Sequence, residues 1–321
     1  MPQFRAVRSV HAQLGNRALF GALDFVGDIS PSSGPLGTGA GASGKGSTFT
    51  NILTGVKYVN EGTAASPYWT PMDYNHRGLI SWHSDFRDGV GSPVAGTNAS
   101  TTIPGSGLRV FGTAEPNATG GLTVAQGAGG AVATMFCGTT TGLLIALGVG
   151  GATVPFKPST MGPLVIDCSN VIQITDNDLR RFFMGFVGAA ADALVSPVTG
   201  STVTLTNVQT DVAGFIFDVG LTATERIFVT HNKANDTPTL VVTAAGVDTG
   251  IDNVLGVAQR FRVEVDALGN VKFFIDKLQV STFALGLTPA TNLSPIIALH
   301  STTAAAKNMS LRQFATWANR V

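Results

Sequence analysis

The run Arg260-Phe-Arg-Val-Glu-Val-Asp266, Ala267-Leu-Gly-Asn270, Val271-Lys-Phe-Phe-Ile275 decides the fold. Phe261, Val263 and Val265 alternate with Arg260, Arg262, Glu264 and Asp266. Successive strand side chains point to opposite faces, so this alternation predicts one dry face and one wet, charged face. After Gly269-Asn270 the pattern resumes, with Val271, Phe273 and Ile275 on one side. Glycine and asparagine tolerate the positive φ of a tight reversal, so the two runs read as an antiparallel hairpin. A second reversal at Asp276-Lys277 leads into Leu278-Gln279-Val280. Three linked strands, each apolar on one face, need a second sheet to cover them. Phe261, Val263, Val265, Val271, Phe273 and Ile275 are therefore expected to point inward.

Working outward, residues 92–321 read as many short apolar runs punctuated by Gly, Asn, Pro and Thr. Leu108–Gly112, Ala131–Cys137, Leu143–Leu147, Leu164–Asp167, Phe182–Val187, Gly214–Val219, Arg226–His231 and Ile296–Leu299 are among them. Strands at this spacing indicate a sandwich or barrel rather than alternating β-α units. Ala189–Leu194 and Asp252–Val257 read at most as short turns. The predicted fold is all-β: an antiparallel two-sheet jelly-roll sandwich over residues 79–321, preceded by an extended Gly/Pro-rich arm over residues 1–78.

Composition narrows the function. The chain has 321 residues, 39 of them glycine; 20 basic residues balance 20 acidic ones, and only 12% are charged. So low a charge suits a chain that buries surface against other subunits, although a Gly/Thr-rich β protein can simply be poor in charge. The even charge balance argues against a dedicated nucleic-acid binder. The apolar stretches Leu143–Phe156 and Phe182–Val195 are too short to span a bilayer, so no membrane role is expected. No secretory signal is read near Met1, and Cys137 and Cys168 lie in strand-like runs without CxxC spacing. They are expected as buried thiols in a protein made in the cytoplasm.

Residues 1–30 carry Arg5, Arg8, His11 and Arg17 with no acid before Asp24. Phe4, Phe20, Phe25, Phe49, Tyr58 and Trp69 follow one another along the arm like anchors. The arm has too little periodic apolar pattern to form its own core, so it is expected to run across neighbouring subunits. Phe4, Arg5, Arg8, Arg17, Phe20, Phe25 and Trp69 are the expected contacts. A fragment starting near Gly78 should then fold alone as a soluble sandwich.

Chemistry-bearing motifs are weak. Gly39-Ala-Gly-Ala-Ser-Gly-Lys-Gly46 lacks the Ser or Thr after lysine that a phosphate-binding loop needs, and reads as a linker. Asp73, His76, His83, Asp85 and Asp88 match no metal-ligand spacing. Glu264-Val-Asp266-Ala-Leu-Gly269 approaches the Glu-x-Asp-x-x-Glu of jelly-roll glycosidases but has glycine at the last position, so the acid/base partner is missing. Glu264 and Asp266 are read instead as polar-face residues opposite Lys272 or an arginine. No catalytic residue, cofactor or metal ligand is assigned. For sugar binding, Trp69, Trp82, Asp236, Asp248 and Asp252 are candidates, though nothing in the sequence clusters them.

Arg181-Phe-Phe-Met-Gly-Phe-Val187, Ala213-Gly-Phe-Ile-Phe-Asp218, the Arg260–Asp276 hairpin, Pro295-Ile-Ile-Ala-Leu299, Ala304-Ala-Ala-Lys307 and Trp82–Asp88 together resemble the concanavalin-A-like (laminin-G-type) jelly rolls of tailed-bacteriophage virion proteins. The resemblance covers residues 80–321 and is a pattern rather than a catalytic signature. It implies a non-enzymatic virion structural protein assembled in the host cytoplasm, such as a capsid decoration, cement or head-fibre subunit. Its partners would be the major capsid protein or sister subunits, with a homotrimer at a local symmetry axis. Tail or adaptor placement is the structural alternative, and a lectin-like protein binding surface glycans the functional one.

Overall fold

The computed structural model describes residues 5–7, 22–86, 101–102, 107–112, 121–127, 130–137, 142, 144–149, 155–172, 180–188, 198–201, 204–207, 211–218, 226–233, 247–254, 256–301 and 307–320. The first strands are β1 (Arg5–Val7), β2 (Asp24–Gly27), β3 (Thr48–Asn51), β4 (Lys57–Asn60), β5 (Trp69–Pro71) and β6 (Leu79–Ser84). Next come β7 (Thr101–Thr102), β8 (Arg109–Gly112), β9 (Gly121–Gly127), β10 (Gly130–Cys137), β11 (Leu144–Gly148), the short helix α1 (Pro158–Met161) and β12 (Leu164–Ile172). They are followed by β13 (Arg180–Val187), β14 (Val198–Ser201), β15 (Thr204–Asn207), β16 (Val212–Asp218), β17 (Arg226–Asn232) and β18 (Val247–Asp252). The last are β19 (Gln259–Val265), β20 (Val271–Ile275), β21 (Leu278–Phe283), β22 (Ser294–Ser301) and β23 (Lys307–Asn319).

Two eight-stranded sheets make the sandwich. One runs β21-β20-β19-β12-β23-β10-β9, with β6 also on β23; the other runs β18-β17-β16-β13-β22-β11-β8-β7. The 13-residue β23 pairs with β12 on one side. On its other side it pairs first with β10, through residues 307–311, and then with β6, through residues 314–319. All described pairings within the two sheets are antiparallel, as the alternating patterns require.

The deciding hairpin is β19–β20, in the expected register: Phe261 faces Ile275, Val263 faces Phe273 and Val265 faces Val271. Gly269 sits at φ +81°, where a β-carbon would lie 2.2 Å from the Leu287 carbonyl oxygen, so the position demands glycine. The next reversal has positive φ at both Asp276 (48°) and Lys277 (73°), the pairing that matches strand twist in a two-residue hairpin loop. All six expected inward residues are 0–1% exposed. They join the inter-sheet cluster with Phe182, Met184, Phe215 and Phe217 of the facing sheet. Phe215 meets Phe261 and Phe273 edge-on, at ring separations of 5.2 and 5.3 Å, a geometry that adds to burial. Cys137 and Cys168 are free and buried in this core.

The N-terminal part differs from an arm reaching outward. β1 to β5 form a separate sheet in that order, with β2 and β3 parallel. Its inner face packs onto the outside of the sandwich: Phe25, Phe49, Tyr58 and Trp69 cluster with Leu79, Val165, Ala315 and Trp317. Most of these aromatics meet edge-on, Phe49 and Trp69 at 6.0 Å and Phe25 and Trp69 at 6.1 Å. The segment thus solves its shortage of apolar residues by sharing a core with the sandwich. The glycine-rich stretch is a series of turns pinned from within. Asn60 Oδ1 accepts from the backbone N–H of Gly62 and Tyr68, both at 2.8 Å, and Trp69 Nε1 donates to the Thr38 carbonyl at 3.0 Å. Gly46 is followed by a strand rather than a helix.

Candidate functional site

The charged side of β19 is where structure and sequence reading part. Arg262 is 0% exposed and Glu264 only 6%, so the face expected to be wet is dry. The N-terminal segment covers it, and its backbone supplies partners. Arg262 donates to the carbonyl of Trp69 (2.7 Å) and the hydroxyl of Thr70 (2.9 Å). Ser33 N–H donates to Glu264 (3.3 Å), and Lys272, directly across from Glu264 as expected, donates to the Ser33 carbonyl (2.8 Å).

Asp167, on β12, sits at the centre. It accepts from Arg262 at 2.6 and 2.8 Å and from Arg260 at 2.8 and 2.9 Å, and the Tyr68 hydroxyl donates to it at 3.2 Å. Arg260 reaches on to Glu61 at 2.6 Å, and Lys277 approaches the same carboxylate at 3.4 Å. The Tyr68 ring lies 3.6 Å below the Arg262 guanidinium, which adds a cation–π contact inside the seam. Burial alone would raise the Asp167 carboxyl, but Arg262 and Arg260 outweigh it and hold the group at about 2. The same balance keeps Glu61 lowered, with Arg260 overcoming its partial burial. Every carboxylate of the network is engaged by a cation or an N–H, so it fastens two parts of one chain and offers no free acid–base pair.

The expected site residues scatter. Phe25 and Trp69 are buried in the chain's own cluster, not presented to a neighbour, because they supply the apolar face the N-terminal sheet needs. Arg5 belongs to β1, which pairs with β2; Phe4, Arg8, Arg17 and Phe20 lie outside the described residues. Of the sugar-binding candidates, Trp69 is enclosed, Trp82 packs against Phe156 at 5.6 Å, and Asp248 accepts from the backbone N–H of Gly250 in its own turn. Asp252 lies on β18 with Asp248, and Asp236 lies outside the described residues. The His/Asp set does not converge either: His76 Nδ1 accepts from Gly78 N–H at 3.0 Å, His83 stacks on Tyr74 at 4.7 Å, and Asp73 accepts from Asn75 N–H. Asp88 lies outside the described residues.

One surface was not foreseen. A groove of about 610 Å³ opens where the N-terminal segment meets the sandwich, between Ile29 and Leu53 on one side and Pro163 and Leu268 on the other. Ile29, Leu53 and Leu268 are 51%, 77% and 65% exposed. Part of the polar lining is satisfied within the chain: Ser30 donates to Asn319 Oδ1 (2.6 Å), Asn51 Nδ2 to Ser30 (3.4 Å) and Asn319 Nδ2 to the Gly162 carbonyl (2.8 Å). The exposed Ile29, Leu53 and Leu268 share the lining with the exposed charges Asp28 and Arg320. No periodicity could have announced it, because its side chains come from four separate loops.

No protein-family model matches the chain, and no curated protein matches it. Solved structures do. Peanut lectin aligns with a TM-score of 0.45 at 11% identity, over 76% of this chain and 98% of the lectin. The Emp47p carbohydrate recognition domain aligns with a TM-score of 0.43 at 11% identity, over 70% and 96%. A carbohydrate esterase from the Shiga toxin-encoding bacteriophage phi24B aligns with a TM-score of 0.38 at 14% identity, over 71% and 100%. At such identities the likeness concerns architecture alone. The chain is an antiparallel two-sheet β-sandwich.

Proposed function

We propose that the chain is a non-enzymatic structural subunit of a virion, placed on the capsid exterior as a decoration or cement protein. The observation that carries the reading is the groove: three large aliphatic side chains, Ile29, Leu53 and Leu268, are exposed around one cavity that the polar side chains of Asp28, Ser32, Thr54 and Arg320 also line. Clustered exposed apolar side chains rimmed by polar ones mark a surface that another subunit covers. The low charge of the chain and its sequence resemblance to phage virion jelly rolls support the same reading. Sister subunits or the major capsid protein would fill the groove, and closed symmetry such as a trimer would repeat it around an axis.

Electron microscopy of intact particles tests the placement, and copy number separates the alternatives: hundreds of copies indicate shell decoration, a few to a dozen indicate the tail. Leu53→Asp with Leu268→Asp should abolish association with particles while leaving the melting temperature unchanged, since both side chains are exposed. Undiminished association of the double variant would remove the groove from the assembly. For the lectin-like alternative, the enclosed Trp69 and the packed Trp82 offer no open aromatic platform. A calcium-dependent rise in melting temperature, or binding on a glycan array, would favour it instead.

A further inference from the structure

A second cleft, of about 310 Å³, lies by the C-terminal strand end. It is bounded by the turn Tyr74–Gly78, by the stretch of β6 from Leu79 to Trp82, and by Arg320. Arg320 N–H donates to the Gly78 carbonyl at 3.0 Å, and Arg320 and Arg77 both line the cleft. Both arginines are exposed, and neither makes an ion pair among the described residues. No aspartate or glutamate is among the described lining residues. His76 and Asn75 add further donors: with Nδ1 accepting from Gly78, the neutral His76 ring carries its hydrogen on Nε2. In a chain whose charges balance, this is a local concentration of unpaired cations.

The wall of the cleft is also a strand edge. Among the described residues β6 has one hydrogen-bonded neighbour, β23, and no described strand pairs with its other edge. Such an edge presents N–H and C=O groups at strand spacing, and the group that complements it best is another extended backbone. The aromatic rings nearby do not favour a sugar. Tyr74 is stacked on His83, and Trp82 is packed on Phe156. Two cations are too few for a nucleic-acid track.

We propose that the outer edge of β6 accepts an extended acidic segment of a partner protein, added as a strand, with its carboxylates held by Arg77 and Arg320. Guanidinium groups suit this role because they bind carboxylates in a two-pronged geometry. The groove of Ile29, Leu53 and Leu268 shares Arg320 with this cleft but not Arg77, so Arg77→Glu tests the edge independently of the groove.

The test uses the full chain and a fluorescein-labelled peptide of alternating glutamate and valine, followed by fluorescence anisotropy. The expected result is saturable binding that weakens as salt rises. Arg77→Glu and Arg320→Glu should each weaken it about tenfold or more, equivalent to about 1.4 kcal/mol, without moving the melting temperature. Methylating alternate backbone nitrogens of the peptide preserves its charge but removes strand donors, and it should abolish binding. Three results would each overturn the proposal: no binding at millimolar peptide, equal binding by the methylated peptide, or indifference to both arginine reversals. An oligouronate that binds more tightly than the peptide, and loses binding on the same reversals, would reassign the cleft to acidic sugar and would equally overturn it.

Discussion

Replacing Asp167 by asparagine keeps the shape of the central side chain and removes its charge. Two guanidiniums then lose their shared carboxylate: Arg260 keeps Glu61 at 2.6 Å, whereas the fully enclosed Arg262 keeps only Glu264 at 3.3 Å. Removing one partner of a buried pair typically costs about 3–5 kcal/mol, because the other charge stays desolvated. The titration of Asp167 gives a second route to the number. A carboxyl held at about 2 in place of 3.8 contributes roughly 2–3 kcal/mol to folding at neutral pH. Its folded value is depressed, so that contribution is complete above about pH 4 and is lost as pH falls through about 2. At about 2 °C per kcal/mol for a chain of this size, the substitution should lower the melting temperature by roughly 4–10 °C at pH 7. Its deficit relative to the unsubstituted chain should shrink between about pH 4 and pH 2. Thermal melts of both proteins at pH 7, 4 and 2.5 read this directly. A variant that melts within a degree of the parent at pH 7, or a deficit that stays constant down to pH 2.5, would refute the reasoning.

Three further outcomes follow from the packing. Phe273→Ala opens a void at the contact with Phe215 and Phe283 and should cost about 3–5 kcal/mol in a denaturant titration; a loss under about 1 kcal/mol would mean the core collapses around it. Deleting residues 1–78 uncovers Val165, Ala315, Trp317 and the Arg262–Asp167 pair. The remaining sandwich should therefore bind a hydrophobic dye and aggregate, and a soluble monomer melting like the full chain would contradict that. Burial pushes the Cys137 thiol up to about 12 and raises Cys168 well above its ordinary value, so neither should react with a thiol reagent at pH 8 until the protein is unfolded. Rapid labelling of the native chain would show that the core opens locally.

The sandwich was legible because period-two alternation and turn chemistry are local signals. Phe261 to Ile275 carry both without interruption, and the register followed from Gly269-Asn270 alone. The seam was not legible, because alternation reports only that two faces differ. Arg260, Arg262 and Glu264 would read the same whether they faced water or a folded-back segment. What separates the cases is the supply of matching partners, and those come from Asp167, almost a hundred residues earlier, and from Glu61, Tyr68, Trp69 and Thr70, almost two hundred. The sequence did contain a usable sign in Tyr68-Trp69 and Phe49, bulky aromatics in a glycine-rich stretch with no alternation of its own. Such residues need apolar surface that the stretch lacks. That surface could belong to another subunit or to the chain's own sandwich, and the difference turns on whether a complementary face exists nearby. Here it does: Val165, Ala315 and Trp317 alternate outward from strands whose other faces line the core. Two strands apolar on both sides imply cover on both sides, and within this chain the only described aromatic-rich segment not already in the sandwich is the one that provides it.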